Sequence, residues 1–168
     1  MKRIFYILIL FKLVFLADSN IELSIENKYQ LAQDYRNKQM IEDCLRELFD
    51  IKDEYLKANF DIASIYYQEY KNYDIALEFF NFIIKKYESN LDSNINFLEE
   101  NLNIYKNAIF FSAYIYVNDL ELYTKGKKMY ELFIEKFSDD ELADDAMHEL
   151  KALNDEINQI EILKNNLK

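Results

Sequence analysis

The sequence predicts an all-α fold, a short stack of helical hairpins closed by a C-terminal capping helix. Three observations lead there. The 168 residues contain no proline and one glycine; sheet proteins need both at their turns, so short polar links between helices are expected. Apolar residues recur in steps of three and four over most of the chain. One helical pattern is also written three times. Leu31, Ala32, Tyr35, Ile41, Cys44, Leu48, Ile51 and Tyr55 align with Ala63, Ser64, Tyr67, Tyr73, Ala76, Phe80, Ile83 and Tyr87, 32 positions on. Small matches small and large matches large except at Leu31/Ala63. Ala113, Val117, Tyr123, Gly126, Tyr130, Phe133 and Phe137 repeat the pattern 50 positions further. A repeat of this length reads as stacked helix pairs, each covering its neighbour's apolar face.

The elements follow in order. Ser19 with Glu22 fits a capping box ahead of a first helix over about 21–36, and Asn37-Lys38 make the turn. The second helix is expected from Gln39 to Tyr55, with Ile41, Cys44, Leu45, Leu48 and Ile51 on one face. The third covers 58–70 and carries Phe60, Ala63, Tyr66 and Tyr67. The fourth runs from Tyr73 to Glu88 around Ala76, Phe79, Phe80, Ile83 and Ile84. The repeat then lengthens, and Leu91, Ile95, Leu98, Leu102, Tyr105 and Ile109 trace one long amphipathic helix over 93–118. Its first turns either project as an apolar strip or pack on the preceding pair. The sixth helix covers Tyr123–Phe137. Ser138 with Glu141 makes a second capping box before a last helix striped by Ala146, Leu150, Leu153, Ile157 and Ile160, either continuous or broken at Asn154-Asp155.

The first nineteen residues read as targeting. Lys2 and Arg3 precede an apolar run from Ile4 to Ala17, interrupted by Lys12 and too short to span a bilayer comfortably. Charge, apolar run and small residues make a secretory signal, with the cut expected after Ser19. An uncleaved anchor and an ordinary buried helix are the other readings. Cleavage would remove three basic residues and one acidic residue and deepen the net charge from −11 to −13.

Composition bounds the function. The chain is 51% hydrophobic and 30% charged, which argues against disorder. Its 14 Tyr and 13 Phe suit a core of rings interleaved with small residues. The negative charge disfavours nucleic acid and anionic lipid and suits a solvated surface or a basic partner. Membrane contact is expected only through an uncleaved N-terminal segment. Cys44 stands alone, aligned with Ala76 and Gly126, and reads as a small residue at a tight helix contact rather than a thiol in use.

The repeat resembles the tetratricopeptide family. That family places a small residue mid-way along its first helix, an aromatic three on, an aromatic opening its second helix, then a small and a large residue. Phe60, Ala63, Ser64, Tyr67, Tyr73, Ala76, Phe80 and Ile83 follow the pattern, and the copies around Ala32 and Ala113 follow it less closely. The resemblance implies a right-handed superhelical stack with repeats at about 25–57, 58–90 and 107–139, an insertion at 91–106 and a cap at 141–167. Two departures are the missing proline and Tyr114, a ring where the family prefers a small residue, which predicts a wider third repeat. The endings Phe80–Tyr87 and Tyr130–Phe137, the second running into Ser138–Ala146, are similar to envelope proteins of diderm bacteria. These are the outer-membrane barrel-assembly lipoprotein and the periplasmic coordinator of the Tol-Pal system. Export to the periplasm or envelope and non-enzymatic partner binding are what this implies.

Catalytic residues are not expected. His148 is the one histidine, with Asp144 a turn earlier, and two ligands are too few for a metal. A single glycine leaves no phosphate-cradling loop, and no cofactor is implied. Carried over from the family, the concave groove would be lined by Tyr29, Gln33 and Arg36, then Asp61, Ile65, Gln68 and Glu69, then Phe111, Ile115, Asn118 and Asp119, with Asp145 and His148 from the cap. Tyr29, Ile65, Phe111 and Ile115 are expected to meet solvent, and the acids predict a partner with a basic or amphipathic segment. The alternative is a structural protein that self-associates through the 91–106 stripe or the last helix.

Overall fold

The computed structural model describes residues 24–91 and 95–166. The expected signal at 1–19 and the Ser19/Glu22 box lie outside the described residues. Among those described, seven α-helices follow one another, and each packs on the next: α1 (Ile25–Asn37), α2 (Ile41–Ile51), α3 (Leu56–Gln68), α4 (Tyr73–Glu88), α5 (Ile95–Tyr114), α6 (Tyr123–Lys136) and α7 (Ala143–Asn166). No described helix is long and apolar enough to cross a membrane.

The three hairpins α1/α2, α3/α4 and α5/α6 turn the same way. Gln39, Lys71 and Glu121 have φ of 60°, 52° and 54°, and they are spaced by the same 32 and 50 positions as the sequence repeat. A left-handed residue closes the first helix of each pair and redirects the chain. Side-chain caps start two of the helices, α1 and α4. Ser24 Oγ accepts from Asn27 N at 3.3 Å, and Asn72 Oδ1 accepts from Ile75 N at 3.1 Å. Lys85 and Lys86 in the last turn of α4 suit its negative end.

Small residues let the paired helices cross closely. Ala32, Cys44, Ala63, Ala76 and Ala113 are fully buried. At Gly126 the approach is closest: a Cβ there would overlap Val117 Cγ2 and lie 3.1 Å from the Ala113 carbonyl oxygen. The core divides in two. One cluster joins the first hairpin to α3 through Ala32, Cys44, Leu48, Ile62 and Ile65. The larger one runs from α3 to α7.

The long fifth helix packs rather than projects. Tyr105 stacks on Tyr87 with centroids 4.2 Å apart and donates to Glu88 at 2.9 Å, and Leu98 and Leu102 join the larger core. The helix continues beyond Tyr114 as a π-helical turn, Ile115–Asp119. The last helix is continuous through Asn154 and Asp155. Its start differs from the Ser138/Glu141 reading. Residues 138–142 form a turn, and Asp140, not Ser138, supplies the accepting side chain, to Leu142 N at 3.0 Å. Asp140 also pairs with Lys106 at 2.6 Å, which holds its carboxyl below the usual range. This pair ties the α6–α7 turn to α5, and a carboxylate two residues later than expected sets the helix start. Tyr123 donates to Glu156 at 2.9 Å and Lys127 to Asn154 at 2.8 Å. Because Tyr123 opens α6, residues 157–166 continue past that helix, and Ile162 and Leu163 are about three-fifths exposed.

Candidate functional site

The first helices of the three hairpins, α1, α3 and α5, lie side by side, and the candidate site is the face they form together. At the α1–α3 joint the predicted groove residues meet one another. Tyr29 Oη donates to Asp61 Oδ2 at 2.6 Å, and Gln33 Nε2 donates to the same oxygen at 2.8 Å. Arg36 pairs with Asp61 Oδ1 at 3.6 Å and donates to Gln68 Oε1 at 3.3 Å. Burial first, and then the bond to Asp61, raise the Tyr29 phenol well above its ordinary range. Five of the predicted residues thus form a polar knot in which the Asp61 charge is already answered. It joins two repeats and leaves little charge to offer a partner.

Two predicted solvent-facing residues are corrected. Ile65 is 0% exposed and Ile115 1% exposed. Ile65 packs into the α1–α3 cluster with Ile62, Cys44 and Leu48. Ile115 lies in the larger core under Phe111. The neighbouring first helices approach closely enough to cover one more row of each face than the family pattern implies. Phe111 does meet solvent at 40%, and so does Tyr114 at 37%, one turn away.

Between α3 and α5 the face opens into a cavity of about 140 Å³ lined by Phe60, Ser64, Tyr67, Gln68, Phe80, Phe111 and Ile115. Aromatic rings form its walls. Phe60 meets Phe80 edge-on at 5.5 Å, and Phe80 stacks on Phe111 at 6.2 Å. Ser64 Oγ donates to the Phe60 carbonyl at 2.9 Å, so its one polar atom faces its own helix. The cavity exists because the repeat places small Ser64 where Tyr114 stands in the next copy. The spacing showed the substitution; it did not show the hollow.

An acid lies beside the Tyr67 wall of this cavity. Asp119 ends the π turn beside the hydroxyls of Tyr67 and Tyr73. Burial, and then the Asp119 charge, push Tyr67 up to about 12. Asp119 Oδ2 is buried without a hydrogen-bond partner among the described residues. Glu149 of α7 and Tyr114 both act on the buried Tyr130 phenol, which desolvation raises first. Asp145 lies one turn before Glu149. Glu69, Asn118, Asp145 and His148 are exposed, and Asn118 Nδ2 donates to the Tyr114 carbonyl at 3.2 Å. None of Glu69, Asp119, Asp145 and Glu149 has an ion-pair partner among the described residues. No group of three or more potential metal ligands converges among the described residues. Tyr114, Phe60 and Phe80 were missed as site residues. Tyr114 carried a signal, because a ring at a position that requires a small residue must turn outward.

Comparison with protein-family models, curated proteins and solved structures gives no match for this chain.

Proposed function

We propose that this chain is a non-enzymatic adaptor of the tetratricopeptide type that holds a partner polypeptide against the face of α1, α3 and α5. One observation carries the reading: two exposed rings, Phe111 and Tyr114, stand one turn apart beside a preformed aromatic cavity. A scaffold that exposes apolar rings beside a preformed cavity suits recognition of a peptide segment. The Lys2-Arg3 start and the apolar run after it support export, and with the helix endings they support a bacterial envelope setting.

The experiment is a crosslinking pull-down of the full chain from whole cells, with a Phe111→Glu/Tyr114→Glu variant in parallel. Both side chains are exposed, so the fold should survive the change. Envelope proteins captured by the wild type and lost with the variant support the reading. Partners that persist with the variant overturn it.

One feature favours a second, structural reading. Ile162 and Leu163 are exposed where α7 runs past α6. Self-association through that end predicts a defined oligomer at several concentrations, dispersed by Ile162→Lys/Leu163→Lys. The 91–106 stripe is a poorer candidate, because Leu98, Leu102 and Tyr105 already pack within the chain.

A further inference from the structure

We infer that the α3–α5 cavity is a pocket for one uncharged apolar side chain of leucine, methionine or phenylalanine size, inserted by the partner polypeptide. The inference rests on the adaptor reading and specifies what the face accepts.

Size sets the upper limit. The cavity measures about 140 Å³. An apolar space of this order admits one benzene-sized group. A leucine, methionine or phenylalanine side chain fits; the two-ring indole of tryptophan does not.

Polarity sets the chemistry. The walls include the rings of Phe60, Phe80 and Phe111 and the aliphatic side chain of Ile115, and none of the residues lining the cavity is charged. The polar groups inside it are already engaged. Ser64 Oγ donates to the Phe60 carbonyl at 2.9 Å. The Tyr67 hydroxyl lies against Asp119. Gln68 is exposed at the rim, and its Oε1 accepts from Arg36 Nη2 at 3.3 Å. A polar or charged group entering the cavity would give up its water and find no partner inside, which is costly. An apolar group loses nothing there and gains contact with three rings.

Weak retention sets the source. Burying one such side chain strengthens binding only about ten- to a hundredfold, so a free small molecule would be held weakly. The rest of the affinity has to come from outside the cavity. There Phe111, 40% exposed, closes one side, and Tyr114, 37% exposed, stands one turn further along α5. Gln68 Nε2 has no hydrogen-bond partner among the described residues and can donate to a backbone carbonyl of the segment. A polypeptide with one side chain in the cavity and its backbone across these groups uses both.

The test is selection of a phage-displayed random peptide library on the immobilised full chain, then fluorescence anisotropy with the best peptide. Ser64→Met, which fills the cavity, and Phe111→Glu/Tyr114→Glu accompany the wild type, each checked for helical circular dichroism. The expected result is enrichment of leucine, methionine or phenylalanine at one position. Replacing that residue by alanine or lysine should weaken binding about tenfold or more. Ser64→Met should weaken the original peptide by a similar factor and leave the alanine peptide unchanged, because that peptide no longer fills the cavity. The inference is overturned by no enrichment, by a lysine peptide that binds as well as the original, or by equal binding of the original to Ser64→Met and wild type. If the original ignores Ser64→Met yet is lost with Phe111→Glu/Tyr114→Glu, the adaptor reading stands and this inference falls. If it binds all variants equally, both fall. A benzene titration that shifts the Ile115 methyl resonances, with no peptide enriched, makes the cavity a small-molecule site and also overturns the inference.

Discussion

Phe80 on α4 stacks on Phe111 on α5, with centroids 6.2 Å apart and planes 14° from parallel, yet the two rings have different surroundings. Phe80 is 2% exposed and Phe111 40%. One ring is the wedge between hairpins; the other is the lid of the cavity and meets solvent.

Phe80→Ala should therefore cost about 3–5 kcal/mol, the usual range for a buried ring. Phe111→Ala should cost less than half of that while impairing partner binding. Urea unfolding of both variants checks this. Equal losses would make Phe111 a structural residue.

Gly126→Ala should destabilise the protein, although alanine is the better helix former by about 1 kcal/mol. The new Cβ overlaps Val117 Cγ2, and overpacking of this kind costs about 1–3 kcal/mol. Adding Val117→Ala should recover part of the loss, but not all, because the Ala113 oxygen stays 3.1 Å away. Thermal melts of the single and double variants measure it.

Lys71→Gly and Glu121→Gly should each stabilise the chain by roughly 0.5–1 kcal/mol. Their left-handed backbone strains any residue with a Cβ. A glycine one position away, at Asn72 or Leu122, should not help. A lower melting temperature for Lys71→Gly would mean that its side chain contributes more than the strain costs.

Alkaline pH should unfold the protein cooperatively. Burial raises Tyr29, Tyr105 and Tyr130, and raises Tyr67 to about 12, against an ordinary 10.0. Above pH 10 the native state then holds more protons than the unfolded chain, so stability falls as pH rises through the 10–12 window. Phenolate absorbance and helical circular dichroism should change together for these tyrosines. Phenolate formation well below the unfolding pH would contradict their burial.

Much of the fold was legible because its signals are local. Tyr73–Glu88 matched residue for residue, since Lys71-Asn72 supplies both the left-handed turn and the cap. The same turn recurs at Gln39 and Glu121, where the repeat spacing places it. The start of α7 was less legible. Ser138 and Glu141 have cap spacing, but Lys106, 34 positions away, holds Asp140 and moves the start. The π turn at Ile115–Asp119 has no periodic signature. At the site, Phe111 was read correctly as exposed, whereas Ile65 and Ile115 were not. Their burial depends on how closely α1, α3 and α5 approach, and spacing along one helix does not carry that distance. Asp61 reads as a free acid until Tyr29, Gln33 and Arg36 are seen around it.

The most direct measurement is site-specific photocrosslinking in cells. A photoreactive phenylalanine replaces Gln68, at the cavity rim, or Lys85, exposed on α4. Partner binding across α3 and α5 predicts a discrete crosslinked product from position 68, and none from position 85. Products from position 85 alone, or equal products from both, would contradict it.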